Sequence, residues 1–167
     1  MPLAKFDYTL DYKNLNLREH PELYRTGLGE QGVLLVEPYK SEILPFWKFK
    51  TPVLAQVSAD KIYQLFLAYI RKNDFVGMDM ARKFLQMGYT RSLRYANHPS
   101  GKKYKGPVDE DKNGQMNDHD REELPAFPDP QKAASAAIFY AAWQKAKKNN
   151  IYQEMMRVHK EQYRTKA

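Results

Sequence analysis

Seven cations and no acid occupy the interval from Met80 to Val108: Arg82, Lys83, Arg91, Arg94, Lys102, Lys103 and Lys105. Residues 1–79 and 109–167 each hold as many Lys/Arg as Asp/Glu, so this interval carries the whole net charge of +7. Lys/Arg clusters bind phosphate groups, and aromatic side chains set among them can stack on bases. Tyr89, Tyr95 and Tyr104 are interleaved with the cations, and His98 stands beside them. Arg91 and Arg94, three apart on a helix, share a face. The interval points to a contact surface for nucleic acid or a phosphorylated small molecule. Arg82, Lys83, Arg91, Arg94, Tyr95, His98, Lys102, Lys103 and Lys105 would form it. The plainer alternative is a solvated face, or arginines paired with some of the twenty carboxylates elsewhere.

A second pattern follows at once. Asp109, Asp111, Asn113, Gly114, Asn117 and Asp120 fall at positions 1, 3, 5, 6, 9 and 12 of the calcium-loop pattern, which wraps oxygen ligands round a hard cation. Two features oppose it. Asp120 is shorter than the usual glutamate, and the entering segment KKYKGPV does not read as a helix. A loop rich in Asp and Asn produces such matches by chance, so a solvated loop is the expectation and calcium its alternative. No other cofactor is expected.

Gly27, Gly29 and Gly32 spell G-x-G-x-x-G. In dinucleotide-binding folds this element follows a strand and opens a helix, whereas here it precedes an apolar run, so turn glycines are expected. His20, His98, His119 and His159 show no metal-ligand spacing. His119 lies among Asp118, Asp120, Glu122 and Glu123, where a histidine is ordinarily just exposed but could move protons.

The elements that must position these groups are mainly helical. With 167 residues, 43 % of them hydrophobic, one domain spanning 1–167 is expected. The absence of cysteine excludes disulfides, thiolate zinc sites and a cysteine nucleophile. No stretch approaches a membrane span and the N-terminus has no apolar signal region, so a cytoplasmic, non-membrane protein is expected. The first thirty residues read as irregular, with one helical turn after Pro21. The run Val33–Val36, closed by Pro38, reads as a short β element near residues 33–50.

About five helices account for most of the rest. One is expected to start at Ser58 and bury Ile62, Leu65, Phe66 and Tyr69. Another starts at Asn73 or Asp74 and stops at Gly88; a short third one, TRSLRYAN, is capped by Thr90. Residues 98–130 form a long loop. Asp129 and Pro130 open a helix with Ala133, Ala137, Tyr140 and Ala141 inward, and a terminal helix follows Asn149 and Asn150.

The strings GEQGVLLVEPYKSEILPFWKFKTP and FVGMDMARKFLQMGYTRSLRYANH resemble a family of small proteins from bacteria and some viruses to which no activity is attached. The resemblance spans roughly residues 6 to 163. It implies a soluble protein and transfers no site residue. The leading expectation is thus a non-enzymatic binding module. The first alternative is a small enzyme on a phosphorylated substrate, with His98 or His119 and Asp120 or Glu123 moving protons. The second is a protein-interaction adaptor presenting Phe46 and Trp47.

Overall fold

The computed structural model describes residues 5–98 and 129–163. The predicted calcium loop, together with Lys102, Lys103, Tyr104, Lys105 and His119, lies outside the described residues.

Five α-helices are present among the described residues: α1 (Tyr39–Ile43), α2 (Pro52–Arg71), α3 (Phe75–Asn97), α4 (Pro130–Lys147) and α5 (Asn150–Gln162). Three of the starts follow from local chemistry. The side chains of Asp74, Asp129 and Asn149 each accept an amide hydrogen bond from the first turn of α3, α4 or α5. The start of α2 differs from expectation. Thr51 caps it, accepting from the Leu54 amide, and Pro52 supplies the first helical residue. Ser58 lies a turn and a half inside, buried, where its hydroxyl accepts from the Lys48 amide.

The expected break at Gly88 does not occur: α3 runs unbroken through it. Packing is the reason. A Cβ at Gly88 would lie 2.3 Å from the Phe139 ring of α4, so this glycine admits a neighbour instead of ending a helix. Thr90 caps nothing; its hydroxyl donates to Glu30. The α4 face also differs, since Ser135, Ala136, Phe139 and Ala146 are the buried residues and Tyr140 is 46 % exposed.

No strand forms among the described residues, which corrects the short β element near 33–50. The amides of Val33 and Leu35 bond to the carbonyls of Glu30 and Gly32, so the segment closes on itself in turns and leaves no row of donors for a partner strand. Two 3₁₀ turns, Pro21–Leu23 and Leu44–Phe46, flank it. The turn after Pro21 agrees with the sequence.

Helix α3 is the axis of the molecule. It packs most extensively against α4, and α2 packs against both. From Val76 to Leu85 every residue of α3 is buried, including Asp79, Arg82 and Lys83. One contiguous apolar cluster runs from Phe6 and Leu17 through α2 and α3 to Tyr152. No described helix is long and apolar enough to cross a membrane.

Candidate functional site: a buried charge cluster beneath a cationic hollow

A helix apolar on most sides normally carries no charge in its middle, yet α3 places Asp79, Arg82 and Lys83 there at helical spacing. Burying charges costs several kcal/mol each unless partners replace water. Here the partners can be traced. Asp79 Oδ1 accepts from Arg82 Nη2 at 2.6 Å and from Tyr152 Oη at 2.6 Å. Oδ2 accepts from Tyr24 Oη and, at 2.7 Å, from Thr26 Oγ1. Arg82 also donates to Tyr152 Oη, the Gly29 carbonyl and Gln86 Oε1. Lys83 Nζ donates to the carbonyls of Thr26 and Gln31 and stands 3.8 Å from Asp79.

These bonds explain the glycines. Gly27, Gly29 and Gly32 all adopt left-handed backbone, with φ of +66°, +56° and +79°. Such angles let residues 26–31 turn the carbonyls of Thr26, Gly29 and Gln31 towards two cations without a sheet. The expectation of turn glycines is met, and their turn serves to solvate Arg82 and Lys83.

The cluster sets its own protonation. Burial alone would raise the pKa of Asp79, but Arg82, Lys83 and the tyrosine hydroxyls outweigh it and hold the carboxyl well below the usual range. Burial pushes Lys83 down to about 7, with Asp79 pulling the other way. Burial, then Asp79, raises Tyr24 and Tyr152 well above 10.0. His159 closes one side: its Nε2 accepts the Thr26 amide at 3.2 Å, which requires the unprotonated nitrogen, and burial lowers its pKa to about 4.

Above the cluster the turn, α3, the end of α4 and α5 enclose a hollow of about 390 Å³. Gly27, Gly29, Arg82, Trp143, Lys147 and Lys160 are among its walls, and among the described residues no carboxylate lines it. Three concavities of about twice that volume each include a carboxylate, Asp74 in one, Glu30 in another and Asp60 in the third, whereas a cleft of about 400 Å³ around Trp47 does not.

The structure therefore redistributes the predicted basic surface. Arg82 is 8 % exposed and Lys83 fully enclosed: the carboxylate of Asp79 and the turn carbonyls draw both inside, and Arg82 keeps an edge on the hollow. Arg91 and Arg94 remain half-buried on α3 and act on Glu30, whose pKa burial raises and both arginines pull back. His98 caps the end of α3 and is buried, with no hydrogen-bond partner at Nδ1 among the described residues. Tyr95 lies 5.8 Å from Phe49 in a separate cleft that also holds Trp47, Lys48, Lys50 and Lys132, with no acid among its described walls. Among the described residues, no group of three or more His, Cys, Asp or Glu could hold a metal.

Sequence reading missed Asp79, Tyr24, Tyr152, Trp143, Lys147 and Lys160. A signal existed for the first: Asp79-x-x-Arg82-Lys83 puts one acid and two cations on one face of an otherwise apolar helix.

A family model matches residues 7–162, almost the full length of both described segments. The chain belongs to the DUF4385 family, a domain of unknown function. No curated protein and no solved structure matches it. In this DUF4385 chain the matched span contains every group of the cluster and of the hollow above it.

Proposed function

We propose that this protein is a non-enzymatic binding module for a phosphate-bearing small molecule, held in the hollow above the charge cluster. The observation that carries the reading is a concave site in which two exposed lysines stand over a buried, hydrogen-bonded arginine, with no carboxylate among the described residues of its walls. Lys147 and Lys160 sit in or beside the last turns of α4 and α5 and are exposed. Each brings a full positive charge against roughly half a negative charge at its helix end, so the potential there stays positive. Arg82 is fixed beneath them by Asp79 and Tyr152 and supplies a rigid floor.

The His/carboxylate chemistry of the enzyme alternative would need one of those groups with a free lone pair facing the ligand. His159 and Asp79 do converge with Arg82, but His159 Nε2 is taken by the Thr26 amide and both Asp79 oxygens are occupied. Binding without chemistry is the better reading of that arrangement. As part of the same proposal we assign the chain to a cytoplasm, to which its cysteine-free sequence is suited, with bacteria and some viruses as the proposed sources.

Pyrophosphate titrated calorimetrically at low salt is the direct test. The expected result is salt-sensitive binding that drops about tenfold or more in a Lys147→Ala/Lys160→Ala chain of unchanged circular dichroism. Absence of heat at low salt removes the reading.

A second reading, single-stranded nucleic acid, is favoured by the cleft where Trp47, Phe49 and Tyr95 meet Lys48, Lys50 and Lys132. Stacking platforms with cations are how such strands are held. It predicts oligonucleotide anisotropy that falls linearly in log salt and is lost in a Lys48→Ala/Lys50→Ala chain; the Lys147/Lys160 double variant leaves it untouched.

A further inference from the structure

We infer that the ligand of the hollow is a nucleotide whose base lies against Trp143; the inference rests on the phosphate-binding reading above. Size is the first argument. At about 390 Å³ the hollow falls within the range of small-molecule sites, on the order of 300–1,000 Å³, and an inorganic phosphate would leave most of it to water.

The walls are also divided by chemistry. Lys147, Lys160 and the edge of Arg82 are cationic, while Leu28, Trp143 and Met156 add apolar surface. Cation and ring adjoin, since Lys147 Nζ stands over the Trp143 ring 5.7 Å from its centroid, so a ligand that satisfies both carries anionic charge close to an apolar, polarisable group. Trp143 is suited to a flat group because its own ring is braced. Tyr89 stacks on it at 5.8 Å with the planes 29° apart, and Tyr140 meets it edge-on at 86°. A braced indole loses little freedom when a second flat ring joins it.

The polar lining adds a reason to prefer a base to a plain aromatic acid. Gln86 and Gln153 both reach the hollow, and each amide offers donors and an acceptor. Arg82 Nη1 occupies Gln86 Oε1 at 2.7 Å, which orients that amide and leaves its NH₂ as a directed donor. Donor and acceptor groups beside an aromatic wall suit the mixed edge of a nucleobase; sugar phosphates offer no flat face to Trp143.

The experiment compares ADP, adenosine and pyrophosphate by calorimetry on the full chain, and on Trp143→Leu. In parallel, Trp47→Phe leaves Trp143 as the sole indole, because the chain has two tryptophans. The expected result is ADP tighter than pyrophosphate by about tenfold or more, quenching of Trp143 emission, and ADP reduced to the pyrophosphate level in Trp143→Leu. Equal affinity for ADP and pyrophosphate, or a Trp143 variant that weakens both alike, overturns the nucleotide and leaves anion binding standing. If neither ADP nor pyrophosphate binds, both readings fall. Should Trp143→Leu not fold, the Trp47→Phe chain decides alone, and unchanged emission on adding ADP overturns the inference.

Discussion

Asp79 and Arg82 meet at 2.6 Å within one turn of α3, and the side chain of Asp79 has no solvent exposure at all. The carboxylate is therefore the counter-charge for two buried cations at once. Replacing it by asparagine keeps the shape and removes the charge. Asp79→Asn is expected to cost ~3–5 kcal/mol, the range for breaking a buried pair and leaving its partner uncompensated. Urea denaturation measures it, and a loss below about 1 kcal/mol, as for an exposed pair, contradicts this account.

His159 predicts behaviour in mild acid. Its folded pKa of about 4 lies below the ordinary 6.5, so between these values the unfolded chain binds more protons than the folded one. Stability should fall as pH drops from 6.5 to 4. His159→Gln, whose side-chain carbonyl can still accept from the Thr26 amide, is expected to flatten that limb. Melting temperatures at half-unit pH steps would show it.

Lys83 acts on the alkaline side. Its folded pKa of about 7 lies below 10.5, so stability should rise with pH across that window until Tyr24 and Tyr152 oppose ionisation above pH 10. Lys83→Met removes the titrating group, and its stability curve between pH 7 and 10 should lose that slope. A slope unchanged from the parent would mean Lys83 stays protonated throughout.

Gly88→Ala sets two effects of opposite sign against each other. Alanine in a helix interior is normally better than glycine by about 1 kcal/mol. The Phe139 ring stands 2.3 Å from where the new methyl would go, and overpacking costs typically ~1–3 kcal/mol. A net loss of stability is expected, with the α3–α4 contact loosened, and denaturation of the single variant reads the sign.

How much of this could be read from residues alone depends on which force decides. Helix starts at Asp74, Asp129 and Asn149 were legible because capping is local chemistry written in the residue itself. Gly88 was not, because the Phe139 ring that claims its missing side chain is fifty-one positions away. The face of α4 was misread since alanines surround it on several sides, so periodicity left its orientation to packing. The basic segment was visible as a charge surplus. Its splitting into buried Arg82 and Lys83 and half-buried Arg91 and Arg94 was not, because the compensating carboxylate, Asp79, stands just outside the acid-free interval. Lys147 and Lys160 carried no mark in the sequence, since they join Arg82 only when α4 and α5 fold over the glycine turn.

The carbonyls that α3 borrows from residues 26–31 bear on how the molecule can be taken apart. Most of the residues ahead of α1 belong to no helix, and by that measure alone they resemble a tail fit for trimming. Cutting before α1 would delete Tyr24, Thr26, Gly29 and Gln31, and with them every described acceptor for Lys83 except a carboxylate 3.8 Å away. Lys83 would be left in the interior with that carboxylate alone to face, and Arg82 would lose its backbone acceptor at Gly29. The irregular segment and the central helix are one cooperative unit, and no shorter fragment that starts at α1 is expected to stand by itself.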